Sequence, residues 1–358
     1  MYHFRMPALR AGAVAVGILA AGTISASAAT MSLSVYGDVA NPMQYSAQSL
    51  RAFDEEIRTL DAVGHHGPVT YTGASLWSLL DRAQVRTDPD VKNDILSKYV
   101  VARGQDGYRA VVSMGELDPG YGGKDTPQII AYERNQESGS EEGLTLVLPG
   151  DAARSRNVSD LVSLEVVDAA LGKPDLPGGR SESFTLSGAV EISGTYDLEA
   201  LEARDALTRE RRKGDPAVAV SYTGVHLGDL LTDAGIVTDP DVKNDILSKV
   251  VVATGNDGYQ IAYALAELLP RYGDPQKDKL VAYSDDAGLL GDDGFARLLF
   301  AEDVRGGRGV SNLVSLEVSD AVTTVAPVPL PGSAALLLPA LGAIAMLRRR
   351  KKAAHPKI

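Results

Sequence analysis

Cysteine is missing from all 358 residues. That excludes disulfides, thiolate metal ligands and a cysteine nucleophile. The sequence also has no G-x-S-x-G nucleophile elbow and no H-E-x-x-H helix, and "GGKDTP" (Gly122–Pro127) lacks the glycine spacing of a phosphate loop. Positive charge is scarce. Thirty-five Lys and Arg face 47 Asp and Glu, for a net charge of −12. Eight of those cations lie in the first 28 and last 31 residues, where there is no acid. The body between keeps 27 cations against 47 acids, a net of −20. Such a surface repels nucleic acid and anionic lipid. It attracts divalent cations diffusely, which is not a calcium site.

The two ends address the chain. Residues 1–28 read as a secretory signal peptide: Arg5 and Arg10, then the apolar "AGAVAVGILAAG" (Ala11–Gly22), then the small residues of "ASA" (Ala26–Ala28). At the other end "VPLPGSAALLLPALGAIAML" (Val328–Leu347) is apolar throughout and "RRRKK" (Arg348–Lys352) follows. A helix of that length just crosses a hydrocarbon core of about 30 Å. The cationic cluster resists translocation and stays cytoplasmic, so everything before it is exported.

The repeat comes next. "TDPDVKNDILSK" occurs at Thr87–Lys98 and again at Thr238–Lys249, a shift of 151. At the same shift "YTG" (Tyr71–Gly73) recurs at Tyr222–Gly224 and "DGY" (Asp106–Tyr108) at Asp257–Tyr259. Glu116, Pro119, Tyr121 and Gly122 return as Glu267, Pro270, Tyr272 and Gly273. Further on, "LVSLEV" recurs at Leu161–Val166 and Leu313–Val318, a shift of 152, so one residue was gained. Copies this long are domains, not solenoid units. The expected organisation is repeat 1 over 29–170, a Pro- and Gly-rich linker over 171–182, repeat 2 over 183–320, a second linker over 321–327 and the tail over 328–352.

Within one copy, "TYTGASLWSLLDRA" (Thr70–Ala83) ends in an amphipathic helix burying Leu76, Leu79, Leu80 and Ala83. Trp77 packs with that helix; its counterpart is Gly228, so the copies share no tryptophan site. "KYVVAR" (Lys98–Arg103), "YRAVVS" (Tyr108–Ser113), "QIIAYE" (Gln128–Glu133), "LTLVLP" (Leu144–Pro149) and "LVSLEV" (Leu161–Val166) read as strands, with a tight turn at Gln105–Gly107. "SMGELDPGYG" (Ser113–Gly122) reads as a short helix or turn. In the duplicated stretch, Asp88 is expected to cap a helix that starts at Pro89. A cation site of Asp88, Asp90, Asn93 and Asp94 is the other reading, without the EF-hand spacing. Hairpin neighbours with few helices predict an α+β fold.

Two resemblances follow from these residues. The order Pro-containing "VPLPG", apolar span, Arg-rich end resembles the PEP-CTERM sorting signals, in particular the VPLPA type, with Gly332 where that pattern has Ala. The motif positions are Val328, Pro329, Leu330 and Pro331, with Arg348, Arg349 and Arg350 closing the span. The resemblance implies a Gram-negative bacterium, trimming by an exosortase-type membrane protease after signal peptidase, and an inner-membrane-anchored precursor released to the cell surface or outside. A plain membrane anchor is the alternative.

The second is carried by "YTGVHLGDLL" (Tyr222–Leu231), "VVVATGNDGY" (Val250–Tyr259), "AELLPRYGD" (Ala266–Asp274), "LVAYS" (Leu280–Ser284), "DDGFARLLF" (Asp292–Phe300) and "RGGRGVSNLVSLEV" (Arg305–Val318), and by the same order in the first copy. It resembles the sulfite-oxidase-like, oxidoreductase molybdopterin-binding domain. The resemblance implies a molybdopterin cofactor held through a cysteine thiolate, which this chain lacks. The family's Lys and Trp after Val are Ser159 and Asp160 in one copy, Ser311 and Asn312 in the other. Its arginine survives as Arg156 and Arg308, and "PGD" (Pro149–Asp151) has become "AED" (Ala301–Asp303).

The expectation is an exported, non-catalytic pair of degenerate modules without a resident cofactor, its partners an exopolysaccharide or a small anionic ligand. A molybdopterin-dependent oxidoreductase or its partner subunit is one alternative, and an exopolysaccharide- or divalent-cation-binding protein another. The ligand candidates are Arg156, Arg308, Arg305, Asp106, Tyr108, Asp257 and Tyr259. "RGGRG" (Arg305–Gly309) either binds an anion or packs its arginines on Asp303 and neighbouring carboxylates. The D-G-Y tyrosines either touch ligand or pack behind a hairpin turn. His65 and His66 supply half of a zinc set at most.

Overall fold

The computed structural model describes residues 32–60, 68–123, 127–136, 139–169, 174, 176–213 and 218–323. The signal segment, His65–His66 and the tail with Val328–Pro331 and Arg348–Arg350 lie outside them. Among the described residues no helix is long and apolar enough to cross a membrane.

The described residues are strand-rich, with four sheets and few, short helices. The first half supplies β1 (Ser32–Gly37), β2 (Met43–Ser46), β3 (Glu55–Leu60), β4 (Val69–Ser75), β5 (Lys98–Gly104), β6 (Arg109–Ser113), β7 (Ile129–Gln136), β8 (Gly139–Val147) and β9 (Leu161–Asp168). The second supplies β10 (Ser183–Gly188), β11 (Gly194–Asp197), β12 (Leu207–Lys213), β13 (Val218–His226), β14 (Lys249–Gly255), β15 (Gln260–Ala264), β16 (Lys279–Asp285), β17 (Gly288–Leu289), β18 (Arg297–Phe300) and β19 (Leu313–Asp320).

Both halves build the same two sheets. One is mixed and five-stranded, β2-β1-β9-β5-β6 and β11-β10-β19-β14-β15, with β1 parallel to β9 and β10 parallel to β19. The other is antiparallel, β3-β4-β7-β8 and β12-β13-β16-β17, with β18 also on β16. Ala131 pairs with Thr145, and Ala282 with Arg297. The extra residue of the second copy therefore lies in the connection between β16 and β18.

The strands next to the centre show why "KYVVARG" and "KVVVATG" are apolar almost without alternation. A strand covered on both faces has no solvent side to make polar. Val100 and Ala102 face the first module's own core, while Tyr99 and Val101 face away from it. On β6, Ala110 and Val112 point inward and Val111 outward. Those outward residues pack with Val250, Ala262 and Ala264 from β14 and β15 in one apolar cluster. The two five-stranded sheets thus share an apolar seam between modules. Leu96 and Tyr121 of the first module also pack into the second module's core.

The helix Leu76–Ala83 buries the face formed by Leu76, Leu79, Leu80 and Ala83, with Trp77 partly buried against the same core. Tyr71–Gly73 are strand, in β4, and the helix starts only at Leu76, capped by Ser75.

The duplicated stretch does not form the helix expected from Asp88. Residues 89–93 are turns, and a 3-10 turn occupies Asp94–Ser97. The reason is local. The Asp88 carboxylate accepts the Asp90 N–H at 2.9 Å, closing an Asx turn, and the Asp94 carboxylate folds back to accept the Asp88 N–H at 3.0 Å. Asn93 is left-handed, at φ 53°, which stops helical propagation. The second copy repeats this with Asp239, Asp241, Asp245 and Asn244. The four polar groups proposed for a cation are thus largely engaged with the backbone and with each other's turn.

Candidate functional site

All seven ligand candidates lie at or beside the seam. Each D-G-Y is a hairpin turn with glycine at positive φ, +86° at Gly107 and +79° at Gly258. Asp106 accepts the Tyr108 N–H at 2.9 Å, and Asp257 the Tyr259 N–H at 3.0 Å. The turns aim both tyrosines across the seam. Asn93 Nδ2 donates to the Tyr259 hydroxyl at 2.8 Å, and Asn244 Nδ2 donates to the Tyr108 hydroxyl at 2.9 Å. Each hydroxyl then donates within its own module: Tyr108 to the Ser155 carbonyl at 2.5 Å, Tyr259 to the Gly307 carbonyl at 2.8 Å. Lys92 sits 5.5 Å over the Tyr259 ring, Lys243 5.7 Å over the Tyr108 ring. Burial pushes the Tyr259 phenol up to about 12, so it stays protonated and keeps donating.

Reciprocal contacts of this kind are what a two-fold relation between like modules produces. They also involve both copies of the duplicated stretch. Each copy of "TDPDVKNDILSK" presents Asn and Lys to a D-G-Y turn of the other module, so both copies meet the same partner chemistry.

Arg156 and Arg308 sit behind those turns, on the 3-10 turns Arg154–Arg156 and Gly306–Arg308. Both are buried. Arg156 donates Nη1 and Nη2 to Glu116 at 3.0 and 2.6 Å, and Nε and Nη2 to Asp151 at 2.8 and 2.6 Å. Arg308 pairs with Glu267 through Nη2, and its Nη1 lies 3.4 Å from Asp303 Oδ1. The arginines thus pack on neighbouring carboxylates. Burial pulls the Arg156 guanidinium down, but Asp151 and Glu116 hold it well above its ordinary value; Asp303 and Glu267 do the same for Arg308. At Arg156 this is fork-to-carboxylate pairing, which satisfies its planar donors on both sides.

The two knots meet across the seam. Ser113 donates to Glu267 Oε2 at 2.8 Å, and Lys277 Nζ donates to the Gly122 carbonyl at 2.8 Å. Lys279, at the position of Gln128 in the other copy, is buried and donates to the Asp274 carbonyl at 3.2 Å. Burial lowers its pKa, against the pull of Glu267.

Do these residues fit a pterin cofactor? The space enclosed beside Arg308, Glu116 and Glu267 is about 20 Å³, room for one water. Both guanidinium groups are committed to internal carboxylates, and the chain has no thiolate. The residues around the two arginines do not fit the group.

Two open clefts flank the seam. One, of about 810 Å³, runs between Asp88–Lys98 and the second D-G-Y turn; the other, of about 540 Å³, runs along Gly306–Gly309. They share Lys92, Asn93, Asp257 and Tyr259. The smaller cleft adds Arg297, paired with Asp293 at 2.6 Å, and Arg180 of the linker, which makes no hydrogen bond or ion pair to the described residues. Arg305 is exposed and reaches toward Tyr121. Among the described residues no group of three or more His, Asp or Glu is arranged to hold a metal ion.

Sequence reasoning did not single out Glu116, Glu267, Asp151 or Lys279 as site residues. The signal for three of the four was present: Glu116/Glu267 and Asp151/Asp303 are polar positions kept in both copies.

No family model matches the chain, and no curated protein matches it. Among solved structures, the sulfane dehydrogenase SoxCD from Paracoccus pantotrophus is similar, at 13% identity and a TM-score of 0.30, over 82% of this chain and 78% of that one. A likeness that loose decides neither architecture nor activity.

Proposed function

We propose that the chain is an exported, non-catalytic surface or matrix protein built from two degenerate molybdopterin-domain-like modules, in which the former cofactor positions serve as a structural joint. One observation carries this: Arg156 and Arg308, where the family resemblance would place cofactor contacts, are each closed by two internal carboxylates in a knot too tight for a pterin. Export and trimming rest on the signal segment and on the tail from Val328 to Lys352.

Ligand contact then falls to the paired clefts. Their walls mix cations, carboxylates, amides and hydroxyls, including Lys92, Arg180, Asp257 and Ser311. That lining suits a hydroxyl-rich exopolysaccharide or a small anion more than an apolar molecule. Calorimetric titration with an acidic oligosaccharide, with inorganic phosphate and with calcium tests the reading. Saturable heat from the oligosaccharide or phosphate that Arg180→Gln weakens supports it. Silence from every titrant removes the ligand-binding half and leaves a purely structural component.

A further inference from the structure

The seam is self-complementary, and that has a consequence between molecules. Each module has its own pair of sheets and its own main apolar core. The surfaces that join them carry the same residues at equivalent places: Asn93 and Tyr108 on one, Asn244 and Tyr259 on the other. A first module therefore cannot distinguish the second module of its own chain from that of another. We propose that the seam also joins copies of this chain by module exchange, the first module of one molecule seating on the second module of the next. This rests on the reading of the seam as a structural joint.

The small departures from symmetry specify which modules pair. Gly115 of the first module corresponds to Ala266 of the second. A Cβ at Gly115 would lie 2.9 Å from Arg308 Cδ, so a second-with-second pairing drives Ala266 into Arg308. Gln128 corresponds to Lys279. A first-with-first pairing would bury two copies of Glu116, Asp151 and Arg156 without that lysine, leaving four carboxylates against two guanidinium groups. An uncompensated buried charge of that size is strongly unfavourable. First-with-second pairing has neither fault. Exchange thus propagates one kind of seam, which closes as a swapped dimer or continues as an open chain of molecules.

The linker sets the balance. Within one chain it holds the modules at an effective concentration in the millimolar range. Exchange therefore needs high local concentration or a transient opening of the seam, and a protein gathered on a surface supplies the first. The linker is clipped to the second module: the Gly178 N–H donates to the Asn256 carbonyl at 3.0 Å, and Asn256 Nδ2 returns a bond to the Gly178 carbonyl at 2.8 Å.

The test uses the full chain carrying two different affinity tags. Equimolar mixtures are opened in urea, refolded over a range of concentrations and captured on one tag, and the second tag is measured. Exchange predicts co-capture that rises with concentration. Val111→Asp puts a charge into the apolar seam, outside either module's own core, and should abolish co-capture, whereas Tyr108→Phe/Tyr259→Phe weakens intrachain and exchanged seams alike and should leave it unchanged. Deleting Pro174–Pro177 strains intrachain pairing and should raise it. Co-capture that survives Val111→Asp, or that the linker deletion does not raise, would come from the terminal segments and overturns the proposal. So does its absence at every concentration while circular dichroism shows folded chains. Neither result touches the oligosaccharide titration, so the two readings fail separately.

Discussion

Asn93 and Tyr259 are 166 residues apart, and the asparagine amide meets the phenol oxygen at 2.8 Å across the module seam. Asn244 and Tyr108 repeat the contact in the opposite sense at 2.9 Å. This reciprocity makes the two ends of the seam independent measurements of one interaction. Tyr259→Phe and Tyr108→Phe should each lower stability by about 1 kcal/mol, and their effects should add, because the sites share no partner. Urea denaturation of the single and double variants checks both statements. A loss at one end only would mean that the modules are not equivalently joined.

The arginine knots predict larger effects. Arg308→Met leaves Glu267 and Asp303 buried without their cation and should cost about 3–5 kcal/mol. Arg156→Met should cost as much, by exposing Glu116 and Asp151 to the same fate. Combining Arg156→Met with Glu116→Gln and Asp151→Asn removes the stranded charges and should restore most of the loss. Chemical unfolding of the single and triple variants distinguishes a structural knot from a ligand site, where the triple variant would gain nothing in stability.

The same knots set a pH dependence. Burial, outweighing the neighbouring Arg156, pushes the Asp151 carboxyl up to about 6. Its contribution is therefore full below the unfolded value near 3.8 and is lost as pH rises through about 6. Burial pushes Asp303 in the same direction. Glu267 runs the other way: despite burial, Arg308 holds it below 4.5, so its contribution is lost on acidification below that value. Stability should peak at about pH 4, where the two opposing trends meet, and fall as pH rises to about 6. Thermal unfolding from about pH 3 to 8 locates the peak, and Asp151→Asn should flatten its alkaline side.

Two glycines give a backbone test of module equivalence. Gly37 and Gly188 have φ of +95° and +92°, and a Cβ on either would run into the carbonyl of Val166 or Val318 on the adjoining parallel strand. Gly37→Ala and Gly188→Ala should each destabilise by about 1–3 kcal/mol or more. Differential scanning calorimetry should show matched losses.

Much of the fold was legible because its signals are local. Period-two and continuous apolar runs marked β5, β6, β7, β8 and β9, and the i, i+3, i+4 spacing marked the face of Leu76–Ala83. The internal repeat announced two like modules. The Asp88 cap misled because an Asp-Pro pair opens an Asx turn as readily as a helix, and the carboxylate that decides, Asp94, acts on Asp88 six residues away. The arginine positions were legible, but not their partners. Glu116 lies 40 residues from Arg156, and only the sheet packing brings them within 2.6 Å. The seam itself was not legible, although the duplicated dozen residues include Asn93 and Asn244, which reach across it.

The tail supplies a cellular prediction. Replacing Arg348–Lys352 with serine should hold the chain back from surface delivery and leave the tail untrimmed, because the cationic stop is lost. Cell fractionation and the mass of the processed chain read this out, and unchanged delivery would remove the sorting reading.

The most direct test is the molybdenum and pterin content of the chain purified from cells supplied with molybdate. A structural joint predicts no molybdenum bound in proportion to protein, and no pterin fluorescence after oxidation. One molybdenum per module, or per chain, would contradict it.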